Sequence, residues 1–437
     1  METNALNASD SGGICMDVVI MGQGYVGLPL AVHAAEAGHH VVAYDTDVQR
    51  VKQLTVGETY IGDMSGARVK RLMESGLFHP TANPDEIHPF DVGVIAVPTP
   101  LVDGVPDLGH VESATVTLAR WLRPGATVVL ESTTYPGTTR NVVGALLEEH
   151  SGLTVGADFH LGFSPERIDP GNSTWRLSNT PKLVAGIDDR SLGALSRFYG
   201  SFVDTVVPVP GCEEAEFAKI LENTFRHVNV ALVNELAAIG RDLGIDVWSA
   251  IDAAATKPFG FMRFTPGPGV GGHCLPIDPQ YLSWHARRTL HRSSRFVELA
   301  DEVNAGRPAM VVERVIRGLN SRKLAVNGAR VLVLGLSYKK NVGDTRESPS
   351  ARVISGLAEL GADLRLADPH VPEDSEVAGS ANGATRVGCV QTELAAADIT
   401  VLLTDHDSFD YAEVAEHARY VLDCRHRMPK LDHIEYL

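Results

Sequence analysis

The chain has 437 residues, more than a single hydrophobic core usually supports, so we expect two or three domains. A net charge of −17 argues against non-specific nucleic-acid binding, and the five scattered cysteines include no CxxC pair that would indicate a zinc site. The longest apolar runs are too short to span a membrane, and the polar first dozen residues lack the apolar core of a signal peptide. We therefore expect a cytoplasmic protein.

Short, Val-rich apolar runs alternate with helical patterns between residues 14 and 212. Apolar runs of this length, buried on both faces, are typical of parallel strands. They occur at 16–22, 39–45, 91–98, 126–133, 158–165, 181–186 and 204–210. The sequence therefore predicts a Rossmann-like, doubly wound α/β domain over 14–212.

A long helical segment follows this domain. Residues 213–239 contain neither Gly nor Pro, and their apolar residues recur at helical spacing. This pattern predicts one helix over about 213–243, which we expect to link domains and to form a two-fold dimer interface. Two further helices are expected at 278–289 and 294–320, so we assign 213–320 to a central helical domain.

The α/β alternation resumes at Arg330. Apolar runs recur at 330–336, 362–368, 398–405 and 420–425. They predict a second Rossmann-like domain over 330–437. The predicted fold class is thus α/β, with two Rossmann-like doubly wound domains joined by a long central helix.

The pattern Gly22-Gln23-Gly24-Tyr25-Val26-Gly27 follows the first strand and opens a helix. In a dinucleotide-binding turn the first glycine makes the turn, the second admits the pyrophosphate, and the third packs helix against strand. The second strand ends in Asp45, 18 residues after Gly27, which is close to the spacing of a ribose acid and predicts NAD rather than NADP. Asp47 is an alternative ribose ligand, although a helix N-cap is the better interpretation.

The segment 267–279 reads GPGVGGHCLPIDP and carries Cys274 among glycines that allow the backbone to approach a ligand closely. A cysteine in such a loop is presented rather than packed. Together with a hydride acceptor, it suggests oxidation through a thiohemiacetal and a thioester. The alternative is a small buried apolar residue, which is how we interpret the other four cysteines. His273, Cys274 and Asp278 do not make a plausible metal site.

With these features the chain resembles the UDP-glucose/GDP-mannose dehydrogenase family, the nucleotide-sugar 6-dehydrogenases, over nearly its whole length. The motifs that carry the resemblance are GQGYVG at 22–27, AVPTP at 96–100, ESTTYPGT at 131–138, FSPERIDPG at 163–171, AEFAKILENTFRHVNVALVNE at 215–235, GVGGHCLPID at 269–278 and GLSYKKNVGDTRES at 335–348. The resemblance implies a four-electron oxidation of the C6 alcohol of a UDP-sugar with two NAD⁺, as used in polysaccharide biosynthesis.

The catalytic roles implied by the resemblance begin with Cys274, whose thiolate traps the C6 aldehyde. The others are Lys219 and Asn223 for the oxyanion, Asp278 for activating water, and Glu166 and Thr133 for holding water and substrate. Each has a structural alternative: Lys219 as an exposed lysine, Asp278 as a helix cap, and Glu166 as a partner of Arg167.

The resemblance also implies binding residues. For NAD they are Gly22, Gly24, Tyr25, Val26, Gly27, Asp45, Pro98, Thr99, Thr133 and Arg346. For the UDP-sugar they are Glu166, Arg167, Lys219, Asn223, Lys257, Arg263, Gly271, Tyr338, Lys339 and Arg425. Tyr338 would stack on the uracil, and Lys257 and Arg263 would touch phosphate, in a neighbouring subunit if not in their own. The alternative for Lys339 is a solvated turn.

The segment SPERIDPG bears on the choice of sugar. The plain UDP-glucose branch reads closer to NPEFLxEG there, so this chain has Pro170 in place of a second acid and gains Arg167. This wording resembles the UDP-N-acetylhexosamine branch. We expect UDP-N-acetylglucosamine as substrate, with UDP-glucose and UDP-N-acetylmannosamine as alternatives. A one-step 3-hydroxyacid or 6-phosphogluconate-type dehydrogenase and a non-catalytic nucleotide-sugar binding protein are the other classes left open.

Overall fold

A computed structural model describes residues 15–61, 64–169, 171–172, 174–272, 275–373, 375, 377 and 383–437. The polar N-terminal tail, Pro170, His273 and Cys274 lie outside the described residues. The chain divides into two compact units, one ending at Glu222 and the other beginning at Asn223.

The N-terminal unit alternates strands and helices. Its strands are β1 Asp17–Met21, β2 His40–Tyr44, β3 Phe78–Thr81, β4 Val92–Ile95, β5 Leu101–Val102, β6 Val105–Pro106, β7 Thr127–Leu130, β8 His160–Phe163, β9 Lys182–Gly186 and β10 Val206–Pro208. Its helices are α1 Gly27–Glu36, α2 Val48–Thr55, α3 Gly66–Glu74, α4 Gly109–Ala119, α5 Ala145–Ser151 and α6 Asp189–Gly200, with a 3₁₀ turn at Pro84–Glu86 and a π-helical turn at Thr139–Gly144. The long helix α7, Cys212–Asp242, begins in this unit.

Strands β3-β2-β1-β4-β7-β8 form a parallel sheet in that order, with the hairpin β5–β6 outside it. This is the 3-2-1-4-5-6 order of dinucleotide-binding folds. The run predicted at 181–186 extends the sheet, but as an antiparallel neighbour of β8. The expected parallel direction is therefore wrong. A parallel return requires a crossover, usually a helix, and the described residues between β8 and β9 form none.

The sheet is buried on both faces, as the Val-rich runs predict. Val18 and Ile20 of β1 pack into one hydrophobic cluster, whereas the alternate residues Val19 and Met21 pack into another. Side chains of a strand point alternately to opposite faces, so one strand contributes to both clusters. This arrangement leaves the carboxyl ends of the strands, rather than their faces, available for a site.

The C-terminal unit contains the rest of α7 and a second parallel sheet. Its further elements are α8 Val247–Ala255, α9 Asp278–Leu290, α10 Arg295–Ser321, β11 Arg330–Leu334, α11 Pro349–Glu359, β12 Asp363–Ala367, β13 Thr385–Arg386, α12 Gln391–Ala396, β14 Ile399–Leu402, α13 Tyr411–His417, β15 Val421–Asp423 and β16 Ile434–Tyr436. The strand order is β13-β12-β11-β14-β15-β16, again 3-2-1-4-5-6, and every pair is parallel. The predicted fold class is confirmed. A search of the described residues finds no helix both long and apolar enough to cross a bilayer.

Candidate active site

The glycine turn after β1 has the geometry expected for dinucleotide binding. Gly22 has φ of 90°, and a Cβ there would lie 2.5 Å from the Ala96 carbonyl oxygen. A Cβ on Gly27 would lie 1.8 Å from the carbonyl oxygen of Gly22, so only glycine allows this packing of helix on strand. A Cβ on Gly24 would have no described atom within 4 Å, which leaves space beside the backbone. The three glycines therefore fit the three roles predicted for them.

Helix α1 and Asp45 complete the turn. The helix begins at Gly27, and no described side chain caps its first N–H groups, which suit an anion. The buried Asp45 carboxylate accepts the Gln23 N–H at 2.7 Å and pairs with Arg50 at 2.8 Å. Asp47 accepts the first N–H groups of α2, so its interpretation as an N-cap is confirmed. These residues fit bound NAD.

Further predicted residues follow the carboxyl ends of neighbouring strands. The exposed Pro98 and buried Thr99 follow β4, and Thr133 follows β7. The Ser132 hydroxyl joins the two segments, since it donates to the Val97 carbonyl at 2.8 Å and accepts the Val97 N–H at 2.9 Å. Parallel strands end at one edge of a sheet, so the structure brings these residues to the edge that carries the glycine turn.

Glu216 of α7 holds the segment that follows Thr133. Its carboxylate accepts the N–H of Gly137 at 2.6 Å, and the N–H and hydroxyl of Thr139 at 2.8 and 2.7 Å. Burial raises the pKa of Glu216 to about 7, against the effect of these three donors. Sequence reasoning did not identify this residue, although an acid on the buried face of a helix was an available signal.

Glu166 belongs to a buried cluster of charged side chains. Lys182, 3% exposed, places Nζ 3.1 Å from Glu131 and 3.4 Å from Glu166, and Tyr199 donates its hydroxyl to Glu131. Burial opposes the charge on Lys182, but the two carboxylates raise its pKa overall. Burial raises the pKa of Glu131, whose Oε2 has no hydrogen-bond partner among the described residues. Sequence reasoning missed Lys182 and Glu131.

The Glu166 segment also holds Lys219. The Lys219 ammonium donates to the main-chain carbonyl of Glu166 at 2.6 Å, and the residue is only 8% exposed, so the alternative of an exposed lysine is wrong. The Glu166 carboxylate accepts the N–H groups of Arg167 and Ile168. The Arg167 guanidinium instead pairs with Glu222 at 2.7 Å, so the expected alternative of a Glu166–Arg167 ion pair is also wrong.

In the C-terminal unit, Asn223 donates its side-chain amide to the Asp278 carboxylate at 2.6 Å. Both residues are buried, and Asp278 is the first residue of α9. The N-cap of α9 is Ile277, so Asp278 is not the cap that the sequence offered as an alternative. Instead, the carboxylate is directed to the amide of Asn223.

The start of the Cys274 loop is fixed by buried polar side chains. Asn234 of α7 accepts the Gly267 N–H at 2.9 Å, and Arg307 of α10 donates to the Gly267 carbonyl at 3.0 Å. Asn304 accepts from the Asn234 amide at 3.0 Å. Burial lowers the pKa of Arg307 to about 10, so the guanidinium remains charged at neutral pH.

Two of the predicted nucleotide-binding residues lie against the described part of this loop. A Cβ on Gly271 or Gly272 would lie 2.7 or 2.8 Å from the Tyr338 side chain. A Cβ on Gly267 would lie 2.9 Å from the guanidinium of Arg425, which also donates to the Leu403 carbonyl at 2.7 Å. The loop, Tyr338 and Arg425 are therefore packed together.

The other predicted cations lie in different settings. Arg346 is half exposed and pairs with Asp344 at 2.6 Å. Lys257 and Arg263 lie in the exposed segment after α8, where Arg263 pairs with Asp252 at 2.7 Å. Lys339 lies in the segment after β11, where its carbonyl accepts the Ser337 hydroxyl at 2.8 Å.

Models of one protein family match the chain in three consecutive segments. The model of the UDP-glucose/GDP-mannose dehydrogenase family matches residues 16–203 with its NAD binding domain, 213–306 with its central domain and 332–430 with its UDP binding domain. The chain belongs to this family. It is an NAD-dependent nucleotide-sugar dehydrogenase, and the predicted enzyme class and cofactor are confirmed.

Relatives within the family are similar over most of the chain. A UDP-N-acetyl-D-mannosamine dehydrogenase of Pyrococcus horikoshii is 33% identical over 395 residues, 90% of each chain. A UDP-N-acetyl-D-glucosamine 6-dehydrogenase of Pseudomonas aeruginosa is 34% identical over 375 residues, 85% of this chain and 87% of that protein. A solved structure of the UDP-D-ManNAc dehydrogenase of P. horikoshii matches with a TM-score of 0.87 and 30% identity, covering 96% of this chain and 99% of that one.

Proposed function

We propose that this enzyme oxidises the C6 hydroxymethyl group of a UDP-N-acetylhexosamine to a carboxylate. The balanced reaction consumes one alcohol, two NAD⁺ and one water, and yields one carboxylate, two NADH and three protons. The observation that supports it best is the paired arrangement of Lys219 on the Glu166 carbonyl and Asn223 on Asp278, four residues apart on α7. The expected nucleophile is Cys274.

The proposed steps divide among residues of this chain. The Cys274 thiolate adds to the C6 aldehyde to give a thiohemiacetal, and loss of a second hydride gives a thioester that water cleaves. Lys219 and Asn223 donate to the oxygen that carries negative charge in these steps. Asp278 takes the proton of the attacking water, and Glu166 and Thr133 orient that water and the sugar.

NAD⁺, when bound, supplies the hydride acceptor. The space at Gly24 and the uncapped start of α1 would receive its pyrophosphate, and Asp45 would accept from its ribose hydroxyls. We propose Tyr25, Val26, Pro98, Thr99, Thr133 and Arg346 as the remaining contacts. The cofactor domain would comprise 14–212, the catalytic loop would lie in 213–320, and the UDP-sugar would be held by 330–437.

The identity of the hexosamine is proposed from two sources. The SPERIDPG segment favours an acetamido sugar, and UDP-N-acetylglucosamine is the sugar expected from the sequence. The relatives include enzymes named for UDP-N-acetyl-D-mannosamine and for UDP-N-acetyl-D-glucosamine, and the manno name is more frequent among them. We therefore rank the manno epimer first, the gluco epimer second and UDP-glucose third.

NADH yield with limiting sugar is the decisive experiment. UDP-N-acetylmannosamine, UDP-N-acetylglucosamine and UDP-glucose are each oxidised to completion, and a yield of two NADH per acetamido sugar is expected. A yield of one would mean that the reaction stops at the aldehyde. A higher kcat/KM for UDP-glucose than for both acetamido sugars would overturn the proposed substrate class.

Cys274→Ala tests the nucleophile. Turnover should fall by about 10³-fold or more, with NAD⁺ and UDP affinity retained. The matched control is Cys15→Ala, because Cys15 is exposed and its interpretation as a buried apolar residue is wrong. Full turnover by Cys274→Ala would instead favour the one-step dehydrogenase mechanism.

A homodimer is also proposed. Helix α7 exposes a row of large apolar side chains, each between 42% and 54% exposed: Phe217, Leu221, Phe225, Leu232, Leu236 and Ile239. Such a face on a helix is typical of a protein interface. Light scattering at micromolar concentration should give a dimer, and Leu232→Glu should give a monomer. A monomeric native protein would contradict the proposal.

A further inference from the structure

Two loops of the C-terminal unit are tied together beside the predicted nucleotide-binding residues. Residues 336–341, which carry Tyr338 and Lys339, follow β11, and residues 404–407 follow β14. The Thr404 hydroxyl donates to the Ser337 carbonyl at 2.5 Å. The Asn341 amide donates to Asp407 at 2.7 Å, and the Asp407 N–H returns a bond to Asn341 at 3.0 Å. Contacts therefore hold the segment 338–339 on both sides.

His406 lies at the centre of these contacts and is completely buried. Its Nδ1 lies 2.9 Å from the main-chain N–H of Asn341, and its Nε2 lies 2.9 Å from the Asp368 carboxylate. A ring nitrogen that accepts an N–H carries no proton, so the hydrogen bonds assign the proton to Nε2, which donates to Asp368. The ring thus accepts on one side and donates on the other.

Asp368 extends the contacts to the start of the same loop. Its Oδ2 accepts the N–H groups of Leu336 at 2.7 Å and Ser337 at 3.2 Å, in addition to the His406 ring. Its Oδ1 accepts the N–H groups of His370 and Val371 at 2.8 and 3.1 Å. The Asp368 carboxylate therefore holds the start of the 336–341 loop through Oδ2, and its own following turn through Oδ1.

The backbone of Asn341 shows that this end of the loop is constrained. Its φ is 59°, a left-handed conformation that costs energy in a residue other than glycine. The contacts to His406 and Asp407 compensate for that cost. A binding segment held in one conformation before its ligand arrives loses less freedom on binding.

We propose that His406 is a positioning residue for the nucleotide diphosphate of the substrate, acting by fixing the segment 338–339 between Asp368 and Asn341. The inference rests on the proposed function in one respect, namely that this segment binds UDP. His406 itself is buried and is not proposed to touch the ligand.

Binding of UDP to the full-length protein, measured by calorimetry, tests the inference without turnover. His406→Leu removes both ring contacts and leaves the Asn341 N–H unpaired, so UDP should bind about tenfold more weakly. NAD⁺ affinity should change less than UDP affinity, because the proposed NAD⁺ contacts other than Arg346 lie in the other unit. His406→Asn keeps an acceptor near the Nδ1 position and should recover part of the UDP affinity.

Two further variants separate positioning from general loss of structure. Asn341→Gly suits the left-handed backbone and removes only the side-chain contacts to Asp407, so about threefold weaker UDP binding is expected. The control is His433→Gln, whose ring bonds to the Ala415 carbonyl at 2.9 Å, elsewhere in the same unit, and UDP affinity should not change. His406→Leu and Asn341→Gly binding UDP within twofold of the native protein would overturn the inference. Failure of the native protein to bind UDP would instead overturn the proposed function.

Discussion

The two Rossmann-like units share a strand order and a turn, but they use the turn differently. In each unit a glycine with positive φ follows the first strand, Gly22 at 90° and Gly335 at 85°. In each unit an acid at the end of the second strand, Asp45 or Asp368, accepts the N–H of the residue after that glycine at 2.7 Å. The backbone conformation of the turn and its hydrogen bond to the acid are therefore the same in both units.

The two units differ in the residues between this glycine and the next helix. In the N-terminal unit the helix begins at Gly27, five residues on, with its N–H groups uncapped by described side chains. In the C-terminal unit helix α11 begins at Pro349, 14 residues after Gly335, and the intervening loop is tied to Asp368 and His406. The first turn leads directly to a helix N-terminus that can bind a phosphate. The second leads into a loop whose conformation is fixed by Asp368 and His406. The family model accordingly matches one unit as an NAD binding domain and the other as a UDP binding domain.

The largest expected effect concerns how each unit stabilises its buried acids. Asp368 accepts from the His406 ring and from four main-chain N–H groups, whereas Glu131 and Glu166 share Lys182. Lys182→Met leaves two buried carboxylates without their cation and should lower the free energy of unfolding of the N-terminal unit by about 3–5 kcal/mol. Urea unfolding measures this change, with Lys182→Arg as the control that keeps the charge. A loss below about 1 kcal/mol in Lys182→Met would mean that the cation contributes little.

The glycine pair tests whether the two turns serve different ligands. Gly22→Ala and Gly335→Ala each place a Cβ at positive φ, 2.5 or 2.4 Å from a main-chain oxygen. Strain of about 1–3 kcal/mol in the turn should weaken the ligand of that unit about tenfold or more. Calorimetry should show weaker NAD⁺ binding for Gly22→Ala and weaker UDP binding for Gly335→Ala. Equal loss of both ligands in either variant would contradict the division.

Much of this architecture was predictable because it is local. Helical periodicity is carried by neighbouring residues, so the predicted 213–243 and 294–320 agree with α7 and α10 to within about one residue, although α10 contains Pro308. Strand β3 was missed because Phe-His-Pro-Thr is short and its proline is tolerated only at an edge. The direction of β9 was wrong because the Pro- and Gly-containing segment before it supplies no crossover helix.

Of the candidate site, the motif residues were predictable and their supporting partners were not. Lys182 reaches Glu131, 51 residues away, and His406 reaches Asp368, 38 residues away. The two members of such a pair become neighbours only through the order of the strands in the sheet. Their spacing along the chain does not indicate that they are in contact. The available signals were a charged residue at the end of an apolar run, such as Glu131 after TVVL, and an acid on the buried face of a helix, such as Glu216.

Acid unfolding tests how much the Asp368 carboxylate stabilises the C-terminal unit. Burial would raise the pKa of Asp368, but His406 and the main-chain donors lower it to about 2. A lowered carboxyl pKa contributes stability above the ordinary value of 3.8, and that contribution is lost as the pH falls towards 2. The contribution is about 2 kcal/mol. Urea unfolding of the C-terminal unit at pH 5 and pH 3 should show about half of this loss, because pH 3 still lies above the lowered pKa, and Asp368→Asn should reduce the difference. An unchanged pH dependence in Asp368→Asn would exclude this carboxylate as its source.

The smallest expected effect isolates ligand binding from folding at the first turn. Gly24→Ala adds a Cβ with no described atom within 4 Å, so the fold should be unaffected or slightly stabilised. The same Cβ narrows the space through which a pyrophosphate approaches the backbone, so the KM for NAD⁺ should rise about threefold to tenfold with kcat nearly unchanged. Gly306→Ala in α10 is the matched control, because its Cβ would also meet no described atom within 4 Å. If Gly24→Ala leaves the KM for NAD⁺ as unchanged as Gly306→Ala does, the space beside Gly24 does not receive the pyrophosphate.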